Sequence, residues 1–171
     1  MRYIILDGKT PTHGFKDGKG TKSWEEVKDF DNVACIVPKG YVVYDFDTTS
    51  DAEIMLKIVD DLGLKTRVMK TTRGIHCWFK SPEENPKNFI KNRLACGIYS
   101  DRKAGGRNAY VKIKQDGHAR EWIRKVKASD MDVVPKFLWS VSAPSGKFAF
   151  KEMGEGSGRN QELFNYIVYL Q

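Results

Sequence analysis

No apolar run in this 171-residue sequence approaches the ~20 residues needed to span a bilayer. The N-terminal stretch Met1-Arg2-Tyr3-Ile4-Ile5-Leu6-Asp7 is too short in its apolar part for a secretory signal. Both absences point to a soluble protein with no membrane partner. Cysteine is scarce as well. Cys35, Cys77 and Cys96 are odd in number, widely spaced and without a CxxC pair, so neither a disulfide framework nor a zinc template fits them. They are expected as buried small hydrophobes in a reducing cytoplasm, bacterial or phage-infected, with no zinc. Gly8-Lys9-Thr10 matches the last positions of a phosphate-binding P-loop, but Tyr3 stands where that motif needs its first glycine. No persuasive Ser–His–Asp or Cys–His arrangement for nucleophilic catalysis is present.

Negative charge is in deficit: 29 Lys/Arg stand against 22 Asp/Glu, a net +7. The imbalance is local, since the segment from Glu84 to Lys127 carries 12 basic and 4 acidic residues. Such a concentration fits either a polyanionic partner, nucleic acid or a nucleoside triphosphate, or a solvated basic surface. Hydrophobic residues make up 40% and aromatics 12% of the chain, enough for a packed core.

Ser23-Trp24-Glu25-Glu26 and Ser50-Asp51-Ala52-Glu53 are capping boxes that predict helices. The second would present Ile54, Met55, Ile58, Val59 and Leu62 as its apolar stripe. Asn32 to Val37, Gly40 to Asp47, Lys65 to Lys70, Ile75 to Lys80, Gly97 to Asp101 and Ala109 to Lys114 are expected as strands. Pro86 to Leu94 is expected as a helix with proline in its first turn. This order predicts an α+β (α/β mixed) domain, with one mixed sheet flanked by helices. Gly154 to Gly158 is expected as a flexible linker, and Asn160 to Gln171 as the start of a C-terminal helix. The chain is therefore expected to be cut from a longer protein, with a domain over 1–153 and linker plus helix over 154–171.

Three constellations carry chemistry. In Tyr41-Val42-Val43-Tyr44-Asp45-Phe46-Asp47, strand alternation puts Asp45 and Asp47 on one face and Tyr44 and Phe46 on the other. Carboxylates ~7 Å apart on one face repel unless a cation lies between them, and hard oxygen ligands suit Mg²⁺ or Mn²⁺. The plainer alternative is a strand end in solvent, with Asp47 capping the Thr48-Thr49 turn. In Thr71 to Phe79, Ile75, Cys77 and Phe79 alternate with Gly74, His76 and Trp78. Gly74 would allow close approach of a ligand to the strand, though a lone strand histidine is more often structural. In Tyr99 to Val111, Asp101 is expected at a strand end before a basic Gly105-Gly106 turn. There Lys103, Arg107 and backbone N–H groups could hold phosphate, or the segment could be an exposed hairpin.

The ordered set, a DxD strand, a GxH strand about thirty residues on, and an Asp before a basic Gly-Gly loop, resembles the archaeo-eukaryotic primase superfamily, specifically the primase–polymerase domains of phages and plasmids. Asp45 and Asp47 fall on its first motif, Gly74 and His76 on its second, and Asp101 on its third. The match runs from the Gly8-Lys9-Thr10-Pro11 loop to about Pro144-Ser145-Gly146. Thr72-Arg73-Gly74 stands where Ser-Gly-Gly is more common. The resemblance implies an RRM-like primase–polymerase core and a template-directed nucleotidyltransferase of a mobile-element replication protein, a DNA primase, a DNA polymerase or both. It implies Asp45, Asp47 and Asp101 as ligands of two Mg²⁺ or Mn²⁺ ions, and His76 on the incoming triphosphate. Arg73, Gly74, Lys103 and Arg107 would join it at the nucleotide. Lys112, Lys114, Tyr110, Arg120 and Arg124, in the basic segment that also holds Trp122, would track a single-stranded DNA template. Primer and dNTP or NTP would be the other partners, with a helicase domain expected C-terminal to Gln171. A non-catalytic nucleic-acid-binding initiator module and a DxD glycosyltransferase are the competing readings; the short chain and basic middle segment speak against the latter.

Overall fold

In a computed structural model of the chain, which describes residues 1–141, eleven strands and two α-helices are formed. The strands are β1 (Tyr3–Asp7), β2 (Thr10–Pro11), β3 (Val33–Ile36), β4 (Tyr41–Phe46), β5 (Arg67–Lys70), β6 (Ile75–Lys80), β7 (Phe89–Arg93), β8 (Tyr99–Ala104), β9 (Tyr110–Gln115), β10 (His118–Ala119) and β11 (Trp122–Arg124). The helices are α1 (Trp24–Val27) and α2 (Thr49–Asp61). No described helix is long and apolar enough to cross a membrane. The expected linker and C-terminal helix, with the 153/154 boundary, lie outside the described residues.

The single mixed sheet expected from the element order is instead two antiparallel sheets. One runs β11-β5-β6-β4-β8-β7 and the other β10-β9-β3-β1-β2. The reason is visible in β4, where Val42, Val43 and Tyr44 are all fully buried. A strand apolar on both faces needs a cover on each. On one face Val42, Tyr44 and Phe46 join Cys77, Phe79 and the buried α2 residues Ala52, Met55 and Val59. On the other, Val43 and Trp78 pack against Cys35 and Val37 and against Val111 of β9. β8 and β9 therefore do not form a hairpin; the chain crosses from one sheet to the other between them.

Three local expectations change. Residues 89–93 are an edge strand paired with β8, not a helix. Phe89 packs edge-on against Tyr44 and beneath the Arg102 guanidinium, and this tertiary contact overrides the proline signal. α2 is capped by Thr48, two residues before the predicted cap Ser50. The Thr48 hydroxyl accepts from the Asp51 N–H at 3.1 Å and donates to the Asp51 carboxylate at 2.7 Å. Its buried stripe is consequently Ala52, Met55 and Val59, and Ile54 and Leu62 face solvent. The Ser23 cap is as expected, its backbone N–H donating to the Glu26 carboxylate at 2.7 Å. Cys35 and Cys77 are buried, whereas Cys96 is half-buried.

Candidate metal centre and cationic cleft

The three central strands of the larger sheet place the candidate residues in one row. In the antiparallel register Asp45 of β4 lies directly opposite His76 of β6 on one side and Asp101 of β8 on the other. Asp101 is thus the third residue of its strand rather than the residue ending it. Asp47 follows just past the end of β4 on the same face. Carboxylate oxygens of Asp45, Asp47 and Asp101 all lie within 4.8 Å of one another. Three acids far apart in sequence are brought together because β8 pairs with β4 in this register and no other.

The neighbours of each acid differ. His76 is 3% exposed, and its Nε2 lies 3.2 Å from Asp45 Oδ1. Asp45 Oδ1 is buried without a hydrogen bond, as is His76 Nδ1. Both Asp101 oxygens are engaged: one accepts from the Lys91 N–H at 2.8 Å, the other from Lys103 Nζ at 2.9 Å. Burial would raise the Asp45 pKa, but His76, Lys103 and Arg120 together hold it below the ordinary carboxylate value. Asp47 is shifted the other way, raised by desolvation and then by the charges of Asp45 and Asp101. The charge on Asp45 is therefore met by its neighbours, while that on Asp47 is not. Three hard oxygen donors within 4.8 Å of one another, Asp47 among them lacking compensation, fit a divalent cation of the Mg²⁺ or Mn²⁺ class.

A cleft of about 610 Å³ opens over Asp45, Asp47 and His76, with Asp101 beside it but outside its lining, which also includes Lys9, Thr71, Thr72, Arg73, Asn88, Lys103, Asn108, Tyr110, Lys112, Gln115 and Arg120. Arg120 is steered by the Lys112 carbonyl at 3.0 Å and Gln115 Oε1 at 3.4 Å, and its charge acts on Asp45 and Asp47. Lys112 reaches the Gly8 carbonyl at 2.7 Å, and burial, then the Arg120 charge, lowers its pKa. Tyr110 lines the cleft edge-on to Phe15, with its hydroxyl donating to the Lys9 carbonyl at 3.2 Å.

Other predicted contacts are placed elsewhere. Gly74 does not leave room for a ligand, because a Cβ there would overlap the carbonyl oxygen of Phe46. The glycine serves the approach of β4 to the β5–β6 turn. The Gly105 N–H, expected to be free for phosphate, donates to the Tyr41 carbonyl at 2.9 Å. Arg107 is outside the cleft lining, its Nε directed to the Pro86 carbonyl at 3.3 Å. Lys114 donates to the Lys28 carbonyl at 2.6 Å, and Arg124 pairs with Asp60 at the end of α2. Trp122 packs on Trp78, ring centroids 6.1 Å apart. Sequence reasoning missed Lys9, Thr71, Thr72, Asn88, Asn108 and Gln115 as lining residues. Thr71 and Thr72 carried a signal as members of the loop that also holds Arg73, and Lys9 as part of the Gly8-Lys9-Thr10 loop.

Compared with known families and curated proteins, this chain matches no family model and no curated sequence.

Proposed function

We propose that this chain is a template-directed nucleotidyltransferase, a DNA primase or polymerase of an RRM-like primase–polymerase core, serving replication of a mobile element. The observation that carries the reading is the convergence of Asp45, Asp47 and Asp101 within 4.8 Å at a cleft lined by Lys9, Arg73, Lys103, Lys112 and Arg120. Acids grouped to hold a cation, beside cations arranged to hold phosphate, match the two charge requirements of nucleotide addition.

In that reaction the primer 3′-hydroxyl loses its proton to solvent, and its oxygen forms a bond to the α-phosphorus of the incoming nucleotide. The bond from that phosphorus to the bridging oxygen breaks, and pyrophosphate leaves with its electron pair. Two Mg²⁺ or Mn²⁺ ions held by the three aspartates would supply Lewis-acid activation of the hydroxyl and charge neutralisation of the leaving group. His76, held beside Asp45, keeps that carboxylate ionised and in place, and lines the cleft that would take the triphosphate. Arg120, Arg73 and Lys112 line the path available to phosphate oxygens of the nucleotide and the single-stranded template. Lys103 is tied to Asp101, so it holds that carboxylate in the row and stands ready to contact phosphate once the charge on Asp101 is met otherwise. Positioning and electrostatic stabilisation carry such chemistry, so no protein nucleophile is needed.

The test is extension of a labelled primer on a single-stranded template with Mn²⁺ and dNTPs or NTPs. Extension by the native chain that disappears in Asp45→Ala and Asp101→Ala, with template binding retained, supports the reading. Template binding without extension by the native chain would favour an initiator module, and neither binding nor extension would sink both.

A further inference from the structure

A second cavity, about 570 Å³, opens between the two sheets beside the acidic row. Its larger-sheet wall is the row next to the aspartates: Arg67 of β5 pairs with Trp78 of β6, which pairs with Val43 and so with Lys103. Two aromatic pairs line it. Trp78 and Trp122 stand on the larger-sheet side, with centroids 6.1 Å apart. Tyr3 and Trp24 stand on the side of the smaller sheet and α1, with centroids 5.5 Å apart. The Trp78 ring is 2% exposed, and its indole N–H has no acceptor among the described residues.

The charged side chains of the lining are Arg67, Arg120 and Lys125, and no carboxylate is among the lining residues. Among the described residues none of these three is in a salt bridge; Arg67 spends only its Nε, on the Val126 carbonyl at 2.6 Å. The cavity thus combines the part-exposed rings of Tyr3, Trp24 and Trp122, an unanswered buried N–H donor, and the positive charges of Arg67 and Lys125, which no salt bridge meets among the described residues. Each asks for something different of an occupant: a planar ring to stack, an acceptor atom on it, and an anionic group attached.

We propose that this inter-sheet cavity binds one nucleoside phosphate unit, the base among Tyr3, Trp24, Trp78 and Trp122 and the phosphate on Arg67 and Lys125. The unit is either a free nucleotide or one residue of a bound single strand. Base–aromatic stacking of this kind tolerates any base, because every base has a π-face. The inference goes beyond the polymerase reading and does not need it, since no aspartate of the acidic row lines this cavity. Arg120 lines both cavities, so occupancy here would be felt at the acidic site.

The sequence contains 4 tryptophans, and the one outside the cavity, Trp139, is exposed. In the full-length Trp139→Phe chain, the three remaining indoles report on the cavity. Their fluorescence is titrated at low salt in EDTA with deoxyadenosine 5′-monophosphate, with deoxyadenosine, and with an oligodeoxyadenylate. Saturable quenching by the monophosphate or by the oligonucleotide is expected, with the nucleoside at least tenfold weaker. Tighter binding of the monophosphate identifies a free nucleotide as the occupant; tighter binding of the oligonucleotide identifies a strand residue. Lys125→Glu, a substitution at an exposed position that leaves the fold intact, is expected to weaken binding several-fold, and Trp24→Leu likewise. No saturable quenching by either phosphate ligand, equal binding of the nucleoside, or indifference to Lys125→Glu overturns the proposal. Because EDTA removes any metal-dependent event, such a failure leaves primer extension by the acidic site untouched, and the reverse also holds.

Discussion

Asp45 and Asp101 face each other directly across the β4–β8 ladder, two carboxylates at paired positions of adjacent central strands. Like charges so placed destabilise a sheet by roughly 0.2–1 kcal/mol relative to neutral pairs. The fold offsets the repulsion with His76 on the far side of Asp45 and Lys103 beside Asp101. It leaves Asp47 without a comparable partner. A chain that needed only a stable sheet would gain from neutral residues here, so the arrangement points to a charge brought in from outside.

Asp47→Asn is expected to stabilise the metal-free protein. The folded state raises the Asp47 pKa, chiefly by desolvation and then by Asp45 and Asp101. Below the unfolded value of about 3.9 both states hold the proton and there is no penalty. As pH rises from the unfolded value to the raised folded value the penalty develops, and above the folded value it is complete. The substitution should therefore add a few tenths of a kcal/mol at pH 7, a discounted figure because the side chain is exposed. The gain should vanish near pH 3.5, as read by urea unfolding in EDTA. In primer extension the same variant is expected to be inactive, with template affinity equal or slightly higher.

Divalent cations should raise thermal stability through the acidic row. A cation at one hundred times its Kd adds about 2.7 kcal/mol, or roughly 5–10 °C in Tm for a chain of this size. Thermal melts in Mn²⁺ and in EDTA should show this difference for the native protein and lose it in Asp45→Asn. An equal rise in both would place the bound ion elsewhere.

Gly74→Ala should destabilise the fold by about 2 kcal/mol or more, within the range for forced overpacking against a group that cannot turn away. The obstacle is the backbone carbonyl of Phe46, at the end of the strand that carries Asp45. Denaturant unfolding reads the loss. A neutral result would mean that β4 and the β5–β6 turn are not in contact there.

The Arg102–Glu83 pair should be asymmetric. Arg102 is 8% exposed and Glu83 37% exposed, with nitrogen and oxygen 2.9 Å apart. Removing the carboxylate in Glu83→Ala leaves a buried guanidinium short of a partner and should cost about 2–3 kcal/mol, somewhat below a fully buried pair. Arg102→Met keeps apolar volume over Phe89 and releases Glu83 to water, and should cost about 1 kcal/mol. Paired unfolding measurements on the two variants decide the order.

Much of the site was legible in the residues themselves. Alternation along Tyr41 to Asp47 is enough to put Asp45 and Asp47 on one face, since successive strand side chains point to opposite sides. The capping box at Ser23 is a local hydrogen-bonding preference, and it is realised. The same local logic failed at residues 89–93, where Phe89 finds its place only against Tyr44 and Arg102, far away in the chain. It also failed for Gly74 and Gly105, whose want of a side chain answers to the carbonyls of Phe46 and Pro38 rather than to a ligand.

The amino-acid sequence alone determined which acids share a strand face, where the positive charge is concentrated, and which segments alternate as strands. Only the tertiary structure decided that β8 lies beside β4 with Asp101 opposite Asp45, and that β9 leaves for a second sheet to wall a cleft beside them. It also decided that Arg107, Lys114 and Arg124 lie outside that cleft while Arg120 enters it. Strand order and register are set by packing among segments remote in the chain, where a one-residue slip would turn every side chain to the other face. Local periodicity holds no record of that choice.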